Sequence, residues 1–428
     1  MWIFLFVSSA FALFDETQKM GPTAGMAGAG SVLDRGGSYA AYYNPASMLL
    51  PEGKRFGLSF ALVGFNSSFK PIENIVIENT ATADSVAMGS VSTVYPATVG
   101  SVLGVMWQAF DWQRVTVGLV AFFPLKEIAV LQTLDAYQPV YMLYRTRGQR
   151  PQIHMGISGA LTEHLSFGLG VAGGFSLTSR ANVFMNTRSL SASKMSFGST
   201  LLPKAAPFFG FYWDAGAIKT GIVGRVPLNT DNTLQLISNV KVATSSFPFD
   251  FISRSSLFYD PATIEYAISY KRGQVRLLSQ LDCQFWAPAP SMSLDVEPLA
   301  QGASFQPGTP PSMEYRTIII PRLGLEMQIT DHTVLRAGYA YRPSILMRLP
   351  LGNGNYLDPN VHMVHAGSSI TYGDYSFDAS LFYHVLVISQ ITKTPLDEME
   401  QPGQKVGSPS YMAGGGVFGV SIGISILL

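Results

Sequence analysis

From Arg55 onward, apolar residues alternate with small or polar ones at a period of two, a pattern that predicts strands rather than helices. The end of the chain is the clearest case. Phe418, Val420, Ile422, Ile424, Ile426 and Leu428 occupy one face, and Gly419, Ser421, Gly423 and Ser425 the other. A greasy face opposite a small one over about ten residues predicts a tilted strand crossing a bilayer, with lipid on one side and a crowded lumen on the other. The alternation returns where Leu323, Leu325, Met327 and Ile329 oppose Arg322, Gly324, Glu326 and Gln328. After the turn Thr330-Asp331-His332 it continues, with Leu335, Ala337, Tyr339 and Tyr341 outside and Arg336, Gly338, Ala340 and Arg342 inside, so the two strands form a hairpin. Further hairpins are predicted through Thr162-Glu163-His164 and through Arg272-Gly273.

About fourteen alternating segments follow in all, near residues 55–65, 93–107, 114–123, 150–162, 165–180, 203–214, 215–227, 262–271, 274–286, 316–329, 333–342, 360–372, 374–386 and 414–428. Short turns belong on the periplasmic side of such a barrel. The longer connections at 126–149, 188–203, 230–261, 287–315 and 343–360 would then be extracellular loops.

Composition supports a surface that does not face water. Of the 428 residues 47% are hydrophobic but only 13% charged, about half the usual share. Apart from the N-terminus, no apolar run approaches the roughly 18 to 20 residues of a spanning helix, which leaves a closed barrel as the way to satisfy every backbone group in lipid. The apolar run Trp2–Ala12 ends in Ala10-Phe11-Ala12 and is followed by polar Asp15, Glu16, Gln18 and Lys19, as in a signal peptide. Residues 13–52 lack alternation and contain a Gly/Ala run from Ala24 to Gly30 together with Tyr39, Tyr42 and Tyr43, so they predict a compact plug rather than wall. The expected organisation is a signal peptide at 1–12, an N-terminal hatch at 13–52 and an all-β, transmembrane antiparallel β-barrel of about 14 strands at 53–428, the hatch plugging its lumen. A formal net charge of +0 provides no basic footprint for nucleic acid. The single cysteine, Cys283, excludes an intramolecular disulfide, and six histidines without HExxH-like spacing leave no metal site or cofactor expected.

Gly28-Ala29-Gly30, followed by Ala40-Ala41-Tyr42-Tyr43-Asn44-Pro45-Ala46-Ser47-Met48, resembles the N-terminal hatch of the FadL family of outer-membrane transporters for long-chain fatty acids and aromatic hydrocarbons. Asn44-Pro45-Ala46 is the hallmark of that resemblance. It continues through Lys204–Pro207, Gly221–Arg225, Asp282–Trp286, Leu335–Arg342, Leu357–Asn360 and the final strand. The resemblance implies fourteen strands, a monomer in the outer membrane of a Gram-negative bacterium, surrounded by lipid and lipopolysaccharide, and passive movement of a hydrophobic ligand. That ligand would enter a lumen pocket and, once the hatch shifts, leave sideways through a gap at the third strand. Here that strand ends in Phe122-Phe123-Pro124, where a proline removes a ladder donor, which makes these residues the candidate lateral gate.

Arg180, Lys219, Arg225, Arg336 and Arg342 face inward by parity. A cation in a partly desolvated lumen can hold a fatty-acid carboxylate, so Arg180, Arg225 and Arg336 are ligand-binding candidates, Arg180 first because it continues the small lumen-side run from Gly168 to Thr178. Pairing with Glu265, Glu326, Asp282 or Asp378 is the alternative. Ser380 with His384, and Ser158 with His154, share lumen parity, but no nucleophile motif accompanies them and no enzyme is expected. A general porin or an adhesive barrel is the rival class, against which a lumen plug argues.

Overall fold

The computed structural model describes residues 20–428, apart from 36, 80, 83, 93–96, 110–113, 126–138, 146–150, 187–192, 243–244, 249, 291–294, 299–312, 350–354, 393–396 and 399–403. The signal-peptide reading at 1–12 and the first residues of the plug lie outside the described residues.

Fourteen strands form the wall: β1 Phe56–Phe69, β2 Thr98–Gln108, β3 Val115–Pro124, β4 Gln152–Ala160, β5 Leu165–Asn186, β6 Lys194–Ala215, β7 Ile218–Arg225, β8 Ala262–Arg272, β9 Val275–Phe285, β10 Ile318–Gln328, β11 Thr333–Arg342, β12 Val361–Tyr372, β13 Tyr375–Thr392 and β14 Ser410–Leu427. Each pairs antiparallel with the next, and β1 returns to β14 in a ladder running from Gly57 opposite Leu427 to Phe69 opposite Gly415. Closure leaves no edge along the membrane-spanning wall, so its backbone donors and acceptors have partners without water. Parity decides which side chains meet lipid. Phe209, Phe211 and Trp213 on β6, Ile264, Tyr266 and Ile268 on β8, and Phe418 and Ile422 on β14 are exposed outside, whereas Gly210, Ala267, Ser421 and Gly423 between them are buried inside. Among the described residues no helix is long and apolar enough to cross a membrane.

The strand count read from alternation matches, and so do the turns: β4 joins β5 through Thr162–His164, and β8 joins β9 across Gly273, whose φ of 59° lies in the left-handed region. The long connections differ from simple loops. β5 and β6 extend well past the level where β4 begins, and the segment from Leu228 to Val242 pairs in parallel with β5 from Leu177 to Asn186 and antiparallel with Phe251–Asp260. Three short segments, Ile72–Asn79, Ser85–Val91 and Gln404–Gly407, form a further sheet with Asp397–Glu398, at the end of the barrel that carries the long connections. Pro139–Tyr141 lies parallel to Asn355–Leu357 over the mouth, and Tyr141 stacks on Phe69 with ring centroids 4.2 Å apart.

Inside the wall lies the N-terminal segment, in four short turns at Gly21–Met26, Ser31–Leu33, Ala40–Tyr43 and Pro45–Ser47. Its glycines and prolines prevent regular structure, and Gly28 and Gly30, with φ of 77° and 76°, supply bends that other residues resist. Almost every residue from Met20 to Leu49 is buried. The wall makes room for it with glycine: a Cβ on Gly168 would overlap the Pro45 carbonyl, one on Gly338 the backbone of Met26, and one on Gly367 would lie 2.8 Å from the Cα of Gly25.

Candidate functional site

The turn Ala40–Tyr43 ends against the barrel axis because Asn44, fully buried, ties three pieces together. Its Oδ1 accepts from the Ala46 amide at 2.9 Å, capping the next turn, while Nδ2 donates to the carbonyls of Val32 at 2.8 Å and Phe211 at 3.2 Å. Pro45 supplies the fixed φ of a turn's first position. The Ala46 carbonyl then accepts from Ser166 at 2.7 Å and Ser158 at 3.2 Å. Asn44, Pro45 and Ala46 are therefore a docking point between plug and wall, with no atom offered to the lumen space above. Elsewhere His365 Nδ1 lies 2.8 Å from the Ala24 carbonyl and Arg322 donates to that of Ala27 at 2.8 Å.

Directly above Tyr42 and Tyr43 is a cavity walled by strands β4 to β10. Its volume is about 60 Å³, room for only a few waters, and it opens to solvent. An aromatic cluster borders it: the Tyr42 ring sits edge-on to His154 at 4.7 Å and to Phe122 at 5.1 Å, and His154 lies 6.0 Å from Phe208.

The cavity's cations are already matched. Arg225 pairs with Glu265 at 2.9 Å, and Arg322, almost completely buried, pairs with Asp282 at 2.5 Å. Asp260 also lines the wall, so among the described residues the lining holds two arginines and three carboxylates. Parity put Arg322 inside; its part in the cavity was not foreseen, because alternation reports a side and not a height. The same holds for His154, which parity also puts inside, while Phe208 carries no sequence signal that singles it out.

The other candidates are dispersed. Arg336 is in the lumen, bound to Glu326 at 2.8 Å and to Ser369, away from the cavity. Arg180 is a correction: it is exposed, on the part of β5 that has left the barrel, opposite Gly198 and Gln235, where inward parity no longer means lumen. Phe122 points inward and is fully buried, Phe123 is 46% exposed on the lipid side, and Pro124 ends β3. No break interrupts β3, which stays in register with β2 from Thr116 to Pro124 and with β4 from Val115 to Phe122. The serine and histidine pairs do not meet either: Ser158 donates to the plug, and His384 Nε2 faces His365 Nε2 at 3.1 Å. Among the described residues no three His, Cys, Asp or Glu side chains could hold a metal ion.

On the plug, Asp34 is partly open to solvent, but its Oδ2 is shut off without a hydrogen-bond partner. Burial, then the nearby Asp378 carboxylate, push its carboxyl up to about 7. An acid whose pKa rises on docking holds its proton more tightly when docked, so docking is favoured at low pH and weakened as pH rises through 7. Between pH 6 and 8.5, backbone hydrogen-exchange protection over residues 31–43 should fall about tenfold, or ~1.4 kcal/mol. Asp34→Asn should flatten that profile; an unchanged profile in the variant would assign it to another group.

No family model matches the chain. In sequence it is similar to alkane uptake protein A of Marinobacter nauticus, 25% identical over 202 residues, a match spanning 46% of this chain and 42% of that relative. In structure it is similar to a FadL homologue of Pseudomonas aeruginosa, with TM-score 0.60 at 13% identity over 94% of this chain and 96% of the other. The toluene transporter TbuX of Ralstonia pickettii superposes with TM-score 0.55 at 14% identity, covering 96% and 99%. The fold is that of the FadL-type barrels, and an apolar belt surrounds its wall, as on a barrel that faces lipid.

Proposed function

We propose that this protein carries uncharged hydrophobic molecules passively across the outer membrane, with residues 13–52 as a hatch and 53–428 as the barrel. The observation that carries the reading is the N-terminal segment packed across the lumen beneath a cavity bordered by aromatic rings. A filled lumen does not suit a general porin, and two of the similar proteins are named for alkane and toluene, the third as a FadL homologue. Because the arginines among the described lining residues are paired with wall carboxylates, a fatty-acid anion would have to compete with those carboxylates, while an alkane or a monoaromatic hydrocarbon brings no charge to desolvate. A greasy solute crosses the polar lipopolysaccharide layer poorly but partitions readily into hydrocarbon, so no energy source is required.

The cavity is too small for such cargo as it stands, so transport requires the hatch to move. We place the exit sideways, where the β3–β4 ladder ends at Phe122 opposite Gln152, next to the cavity. Cells of a strain lacking its own hydrocarbon channels should take up labelled hexadecane or toluene faster when they carry this chain, and labelled oleate no faster. Equal rates with and without the chain, or large steady currents in planar bilayers, would overturn the reading in favour of a structural barrel or a porin. Replacing Phe122 by alanine should alter hydrocarbon uptake several-fold if the exit runs there; unchanged uptake would remove that route.

A further inference from the structure

One side chain belongs both to the cavity and to the hatch. Arg225, the last residue of β7, lines the cavity and donates through Nη2 to the carbonyls of Tyr42 at 2.5 Å and Tyr43 at 2.9 Å. These are the last carbonyls of the turn Ala40–Tyr43, at a helix end where intrahelical donors run out. Its Nε is braced by Glu265 on β8 at 2.9 Å. The guanidinium carbon, Cζ, lies over the Phe208 ring at 4.8 Å from its centre and over that of Tyr42 at 5.3 Å. The arginine is thus held between a wall carboxylate, a wall ring, a hatch ring and two hatch carbonyls, and Asn44-Pro45-Ala46 follows immediately in the chain.

We propose that Arg225 is the positioning residue that couples occupancy of the cavity to release of the hatch, an inference that rests on the transport reading above. A hydrocarbon entering the cavity has to pack against the Phe208 and Tyr42 rings, the surfaces that the guanidinium covers. Sliding it off them withdraws both hydrogen bonds from the carbonyls of Tyr42 and Tyr43 and frees the hatch just before Asn44. Lysine cannot substitute, since a single ammonium cannot reach Glu265, cover a ring and serve two carbonyls together. Coupling of this kind is reciprocal, so a docked hatch must lower the cavity's affinity for cargo by the factor by which cargo loosens the hatch.

The test is hydrogen exchange over residues 40–48 in the full-length protein, with and without saturating toluene, alongside a direct measurement of toluene binding. In the natural protein toluene should speed exchange there about tenfold. In Arg225→Gln, and in Arg225→Gln/Glu265→Gln, which leaves no carboxylate stranded at this pair, exchange should already be fast, toluene should add nothing, and toluene should bind more tightly. A toluene response of natural size in the double variant would overturn the coupling while leaving transport intact. Failure of toluene to bind the natural protein at all would overturn the transport reading and the coupling with it.

Discussion

Replacing Asp358 by alanine is expected to destabilise the extracellular end of the barrel by about 3–5 kcal/mol. Arg342 on β11 reaches Asp358 through both Nη atoms, at 2.9 and 2.8 Å, and each side chain is 1% exposed. Asp358 Oδ2 also accepts from the Ile345 amide at 2.7 Å. One carboxylate therefore neutralises a dry guanidinium and fixes the start of the connection between β11 and β12. That connection carries Ile345, Leu346 and the strand Asn355–Leu357, all packed into the apolar cluster over the mouth with Tyr141 and Trp286. Alanine leaves the buried guanidinium without this carboxylate, keeping only its longer bonds to the carbonyls of Pro343 and Pro359 among those described, which costs more than the pair itself contributes. Urea unfolding followed by loss of the compact electrophoretic form measures it. Asp358→Ala should lower the midpoint markedly, while Arg342→Met/Asp358→Leu, which removes both charges, should recover most of the loss. A single-variant shift below about 1 kcal/mol would mean that water reaches the pair, as at an exposed ion pair.

The barrel was legible in the sequence because lipid imposes one demand on every strand. Wherever one face meets hydrocarbon, period-two alternation follows, and the fourteen segments match the fourteen strands. The signal fails where that demand ends. Beyond Gly173, β5 runs past β4 and pairs from Leu177 with 232–241, so Arg180 keeps an inward parity with no lumen beside it. Connections read as loops at 188–203 and 230–261 hold strands that extend the barrel's own sheet past the start of β4, where the demand made by lipid no longer sets the pattern. The candidate site was only half legible. Parity identified Arg225 and Arg336 as inward, but their heights depend on the stagger of tilted strands, which decides that Arg225 and Arg322 border one cavity and Arg336 does not. Tyr42 and Asn44 drew notice through the resemblance of the segment around them; their contacts with Arg225 and Phe211 link residues 183 and 167 positions apart, separations that local pattern does not encode.

Unseating the hatch should change the protein most, and the wall glycines provide the means without touching a cavity residue. Gly168→Val and Gly338→Val each place a branched side chain where hatch backbone now lies, the first against the Pro45 carbonyl and the second against Met26. The wall cannot yield, because both strands are paired on each side along these stretches. The hatch backbone has to move instead. At Gly168 that motion breaks the bonds from Ser158 and Ser166 to Ala46 as well, so overpacking of about 1–3 kcal/mol adds to lost hydrogen bonds of about 1 kcal/mol each. Either variant is expected to fold as a barrel, lose exchange protection over 20–48 and pass steady current in planar bilayers, whereas the natural protein should remain nearly silent. Gly159→Val is the control, since a Cβ there meets nothing within 4 Å. Silent bilayers and natural protection in both glycine variants would mean that the segment accommodates the added bulk in place, and the lumen would then have to open by some route other than displacement of the hatch.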